Sequence, residues 1–189
     1  MLESLTYDEL LAVLKAAKAQ RIRNWCMILM AFSHGLRASE VCGLKLADLR
    51  DGHVLIARRK GSHDTVHQVV PHKGTPLLDE VKALREWLVI RPTDVGDALF
   101  PSNKGGNLSP TQFYRIYHCA ASECGLPASK SHPHTLKHTC VSLLIQENMN
   151  LAKVAAFVGH ASISSTMRYV SISDAEASRE AINTLMKLS

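Results

Sequence analysis

The chain has 189 residues, a formal charge of +5 and 46% hydrophobic residues, enough for one domain with a proper core and too little for two comfortable ones. The apolar share excludes a disordered chain, and the longest apolar run, WCMILMAF at 25–32, is too short to cross a bilayer. The mild positive balance permits a polyanionic partner without demanding one.

Taken in chain order, Thr6-Tyr7-Asp8-Glu9 has the form of a capping box and opens a helix with Leu10, Leu11 and Leu14 on one side. A second, strongly apolar helix runs from about Ile22 to Ser33, so it belongs at the centre, and His34-Gly35 stops it. A short helix is expected over 37–44. Asp51-Gly52 is a turn signal, and HVLIAR (53–58) and TVHQVVP (65–71) are β-like runs. They predict a hairpin whose tip, RKGSHD, is basic. Thr75-Pro76 starts another helix, with proline at the first helical position. Ser109-Pro110 opens one that ends at Gly125. Further helices are expected at about 134–148, 151–158, 163–170 and 174–188, broken at Asn148-Met149-Asn150, Gly159 and Ser171-Ile172-Ser173. The expectation is one mainly α domain over 1–189 with a small antiparallel β-sheet, an α+β chain. Five scattered cysteines with no CxxC fit reduced thiols in the cytosol. The opening MLESLTYDELL lacks the basic-then-apolar pattern of a secretory signal.

Four stretches carry candidate chemistry. In GLRASE (35–40), Gly35 suits a left-handed helix cap, and Arg37 can present its planar fork to a phosphate or carboxylate. Taken alone, Arg37 and Glu40 are an i, i+3 surface pair. At the hairpin tip, Arg58-Arg59-Lys60-Gly61 reads as a solvated loop or as a basic finger for a phosphate backbone. Three cations in a row at a tight turn are not expected in a core, and neighbouring cations that lower the Lys60 pKa would let it donate a proton. In HPHTLKHTC (132–140), His134 and His138 are i, i+4, a spacing that invites a metal, yet no acidic or cysteine ligand supports it. The competing reading is a phosphate clamp, with His134 and Lys137 in the first turns of a helix whose N-terminus favours an anion. In VGHASISSTMRYV (158–170), His160 is followed nine residues later by Tyr169, beside Arg168. A lone tyrosine there is ordinarily a packed aromatic.

Together these stretches resemble the catalytic domain of the tyrosine recombinases, the phage integrase family. The match is an ordered set of motifs: Gly35-Leu36-Arg37-Ala38-Ser39-Glu40, Lys60-Gly61, His134-Thr135-Leu136-Lys137-His138-Thr139, Gly159-His160 and Tyr169. Each is weak alone; the order is what makes the resemblance strong. It covers about residues 5–173, and the short length is similar to the single-domain members, with no room for an N-terminal DNA-clamping domain.

The resemblance implies the tyrosine recombinase fold and site-specific cleavage and rejoining of double-stranded DNA, in integration, excision or inversion. It makes Tyr169 the nucleophile that forms a 3′-phosphotyrosyl bond and releases a 5′-hydroxyl. Arg37 and His160 hold the non-bridging oxygens, His134 takes the tyrosine proton and Lys60 protonates the leaving oxygen. Lys137 stands where the family has a second arginine, and a lysine offers one ammonium instead of a fork. Arg58, Arg59, Lys60 and Arg168 are expected to meet DNA, Glu40 to brace the arginine helix, and His138 to stand behind the phosphate contacts. No metal and no other cofactor is implied, because fixed cations supply the electrostatic stabilisation. A homotetramer on paired sites is implied, with the 174–188 helix docking on its own domain or on a neighbour, in a cytoplasmic, nucleoid-associated protein. The competing readings are a DNA-binding protein with a degenerate recombinase fold, slowed or inactivated by Lys137; a type IB topoisomerase; and a histidine-rich metallohydrolase.

Overall fold

The fold is that of a computed structural model, which describes residues 3–58, 62–103, 105–160, 162, 164–167, 182 and 186. Helix α1 (Tyr7–Gln20) begins at the expected capping box: Thr6 Oγ1 accepts from Glu9 N and the Glu9 carboxylate accepts from Thr6 N. Helix α2 (Ile22–Ser33) is the centre of the molecule. Trp25 to Met30 are all fully buried, and α2 packs against α1, α4 and α6. A helix apolar all round must be buried on every side. Each large side chain removed from water there contributes about 1.5–3 kcal/mol.

The short α3 (Ala38–Gly43) follows, then a three-stranded antiparallel sheet of β1 (Leu49–Arg50), β2 (His53–Ile56) and β3 (Thr65–Gln68) in sequential order. Register pairs Val54 with His67 and Ile56 with Thr65. The expected hairpin is present, but its strands are shorter than the β-like runs, and β1 is an addition. The helix expected from Thr75-Pro76 begins later. Pro76–Leu78 form a 3-10 turn, and Asp79 caps α4 (Glu80–Ile90) by accepting from Lys82 N. A carboxylate at an N-cap position satisfies an otherwise orphaned N–H, so the chain starts its helix at Asp79 and not at the proline.

Helix α5 (Pro110–Glu123) has its own capping box at Ser109 and Gln112. Helix α6 (His134–Gln146), α7 (Leu151–Phe157) and α8 (Ser164–Met167) complete the described elements. A small cluster of Val141, Val154 and Val158 glues α7 to α6. Leu5 N donates to Thr139 Oγ1 at 2.8 Å, tying the start of the chain to α6. The expected 174–188 helix lies outside the described residues apart from Ile182 and Met186.

Candidate active site

Arg37, Lys137 and His160 come from three separate elements and converge. Gly35 takes φ +56° after α2 and redirects the chain, so that Arg37 sits at the cap position of α3. A Cβ on Gly35 would meet Val158 Cγ1 at 2.9 Å, so glycine here also lets the α7 end approach. Glu40 Oε2 accepts from Arg37 N and Oε1 from Arg37 Nη1, both within 2.9 Å. The Arg37 side chain remains 34% exposed. The surface-pair reading and the phosphate-fork reading of Arg37 are therefore compatible.

Arg58 corrects one sequence expectation. The sequence places it at a solvated, DNA-contacting tip, yet its side chain is 0% exposed and pairs with Glu40 at 3.0 Å. Nη1 also donates to the Gly35 carbonyl, Nη2 to the carbonyls of His34 and Phe157, and Nε to Thr65 Oγ1. The physical reason is that a guanidinium's planar fork can be satisfied by several acceptors at once. These convergent carbonyls and one carboxylate make burial tolerable. Gly159, at φ +68°, leaves room for it: a Cβ there would lie 2.9 Å from Arg58 Cγ and from the His63 carbonyl.

Lys137 is 5% exposed and points from α6 to the Val158 carbonyl at 3.3 Å. Burial first, then the nearby Arg37 with Glu40 opposing, brings its ammonium down to about 7. His160 follows α7; its backbone N–H donates to Ala155 O at 2.8 Å and its Nδ1 lies 3.0 Å from Thr166 Oγ1 of α8. Burial and then Lys137, Arg37 and Arg58 lower it to about 4, so it is neutral at neutral pH. Burial also opposes ionisation of Glu40, but bonds from Arg37 and the charge of Arg58 outweigh it, and the carboxyl titrates below its usual range. Three cationic side chains thus surround one carboxylate. The surplus positive charge on partly desolvated groups suits an anion.

His134 is exposed at the start of α6, and partial burial, then His132, Arg37 and Lys137, lower its pKa. His138, one turn on, is half-buried and lowered to about 4 by burial and then by the other histidines. Among the described residues no group of three or more His, Cys, Asp or Glu side chains gathers as a metal site would. Arg59, Lys60, Arg168 and Tyr169 lie outside the described residues. Sequence reasoning missed the partners Thr166 and Thr65 and the close approaches at Gly35 and Gly159. From sequence alone both glycines read only as helix stops. A glycine directly before a candidate site histidine was the available signal for close packing.

The sequence and the fold have known counterparts. Residues 3–176 match the model of the phage integrase family. The type 1 fimbriae regulatory protein FimB of Escherichia coli K12 is 36% identical over 173 residues, covering 87% of this chain and 82% of that protein. The tyrosine recombinase XerC of Thermodesulfovibrio yellowstonii is 32% identical, over 89% of this chain and 57% of XerC. Among solved structures, the XerH site-specific recombinase bound to its difH substrate in a pre-cleavage complex superposes with a TM-score of 0.77 at 26% identity, over 95% of this chain and 54% of XerH. The XerA recombinase gives a TM-score of 0.78 at 23% identity, a likeness of fold, and the chain spans 64% of it. The matches define the class: the chain belongs to the phage integrase family. Its described helices include none long and apolar enough to cross a membrane.

Proposed function

We propose that this chain is a tyrosine recombinase that cleaves and rejoins duplex DNA at specific sites. The observation that carries the reading is the convergence of Arg37, Lys137 and His160 around Glu40, an anion-seeking cluster in a member of this family. Tyr169 Oη attacks the phosphorus, the P–O5′ bond breaks and a 3′-phosphotyrosyl bond forms. His134, kept neutral by its surroundings, accepts the phenol proton. Lys60 gives a proton to the departing 5′-oxygen. A phenol of pKa about 10 needs that assistance at neutral pH.

Arg37 bridges the non-bridging oxygens and Lys137 adds one compact charge. The Thr166 hydroxyl, donating to Nδ1 of neutral His160, leaves the ring proton on Nε2 for the phosphate. Fixed donors and charges of this kind stabilise a pentacoordinate transition state without reorganisation, and rejoining needs no ATP because the phosphotyrosyl bond conserves the energy. Arg59 and Arg168 add backbone contacts. The chain works as a catalytic domain in the cytoplasm with the nucleoid, and four protomers assemble on two sites with the 174–188 helix docking between them.

The test is a nicked substrate that traps the covalent step, resolved on a denaturing gel. The wild type is expected to give a shifted protein–DNA band and Tyr169→Phe none. A missing wild-type band despite tight DNA binding would overturn the enzymatic reading.

A further inference from the structure

Behind the site runs a row of buried polar side chains that the proposed chemistry does not use. Glu80 at the start of α4, His34 at the end of α2 and His67 in β3 are 4%, 2% and 6% exposed. Glu80 Oε1 meets His34 Nε2 at 2.8 Å. His34 Nδ1 lies 3.1 Å from His67 Nδ1, and His67 Nε2 lies 2.9 Å from the Phe157 carbonyl. The Phe157 ring stacks on His67 with centroids 4.1 Å apart.

Donor and acceptor chemistry fixes the protons along this row. A carbonyl only accepts, so His67 Nε2 carries a hydrogen. Burial, then His34 and Arg58, lower His67 to about 4, so the ring is neutral and its Nδ1 accepts. His34 Nδ1 must therefore donate. His34 Nε2 then faces a carboxylate oxygen, and two lone pairs at 2.8 Å would repel. A proton on either partner relieves that repulsion. Neither of these two atoms has a hydrogen-bond partner among the described residues, so the 2.8 Å approach is a contact between charged or polar groups and not an aligned hydrogen bond. The other titratable groups that bear on the row are Cys26 of α2, Cys140 of α6 and Arg58 of the hairpin. Both thiols are pushed upward by burial and stay protonated.

We infer that Glu80, His34 and His67 form a proton-ordered relay that positions the α7 end, and through it His160, for the reaction proposed above. The Phe157 carbonyl is held from two sides, by His67 Nε2 and Arg58 Nη2. The next carbonyl, Val158, is held by Lys137. His160 follows two residues later, so the ring that faces the phosphate inherits its place from the relay. These are positioning residues; none touches the reacting atoms. A small displacement of a group in a phosphoryl-transfer site is enough to cost about 10–100-fold in rate.

Two measurements test the inference. In ¹⁵N-imidazole NMR of the DNA-free protein at neutral pH, His67 is expected as the Nε2–H tautomer and His34 with a hydrogen on Nδ1. An Nδ1–H tautomer of His67 would overturn the relay whatever the protein does to DNA. On the nicked substrate, His67→Phe keeps a ring over Phe157 but loses the donor, and is expected to slow adduct formation about 10–100-fold without weakening DNA binding. Glu80→Gln, whose amide can donate to a neutral His34, recovers most of the rate that Glu80→Leu loses. Should His67→Phe not fold, His67→Gln, which restores a donor to Phe157, must exceed His67→Asn in rate. Equal rates in all variants would refute the positioning role. A wild type that forms no adduct would instead count against the recombinase reading, leaving the NMR result to decide the relay.

Discussion

Arg58→Met separates a structural arginine from a DNA-binding one. Methionine keeps an unbranched side chain in the space but strips Glu40 of its fully buried partner and leaves the His34 and Gly35 carbonyls without their guanidinium donor. Breaking a buried pair from one side costs about 3–5 kcal/mol. The stranded carbonyls add to that, while Glu40 keeps Arg37 and Phe157 keeps His67, which offset part of it. The net expectation is a loss of about 4 kcal/mol, or about 10 °C in melting temperature for a chain of this size. Urea unfolding followed through Trp25 and Trp87, both buried, reads it directly. The second readout is the salt dependence of DNA affinity at a temperature where the variant is folded. Removing a side chain that neutralises a phosphate flattens the log–log slope by about 0.9, whereas Arg58→Met leaves it unchanged. A stability loss below about 1 kcal/mol, or a flattened slope, would refute the placement of Arg58 in the interior.

Lys137 is held near 7 in the fold against 10.5 in the unfolded chain, so the unfolded state binds that proton more tightly between the two values. Stability should rise with pH over that range, and Lys137→Met should melt higher than the wild type at pH 6. Adduct formation that needs the ammonium should fall on the alkaline side, and Lys137→Arg, always charged, should remove the fall; matching pH profiles in the two proteins would contradict this. Glu40 titrates lower when folded than its ordinary 4.5. Its contribution is therefore complete above that value and lost as pH drops through the folded pKa, and Glu40→Gln should show a weaker acid transition in a pH-melting series. Gly159→Ala, strained at φ +68° and blocked by the His63 carbonyl, should cost about 2–3 kcal/mol by denaturant titration. Gly43→Ala, with open space around it, serves as the control.

Local patterns were legible where one stretch of chain decides its own shape. The capping box at Thr6, the helix start at Ser109-Pro110, the apolar α2 and the hairpin could all be read from neighbouring residues. What failed was the fate of side chains whose partners lie far along the chain. Nothing near Arg58 announces that Glu40 and the Phe157 carbonyl will enclose it. The same blindness applied to His34 and His67, whose relay joins α2, β3, α4 and α7. The motif positions Arg37, Lys137 and His160 were recognised from their order in the chain, and their convergence required the fold. Asp79 shows the smaller error: a proline offered an early helix start, and a carboxylate cap three residues later won.

The hydrogen bond from Arg58 to Phe157 spans 99 residues and that from Leu5 to Thr139 spans 134. Such long-range closures are slow and come late in folding. During synthesis, when the chain emerges N-terminal end first, Arg37, Glu40 and Arg58 leave the ribosome long before α7 exists to complete their surroundings. A nascent chain therefore carries no finished phosphate site until the residues through His160 have been made. Topology itself thus delays assembly of the cationic cluster.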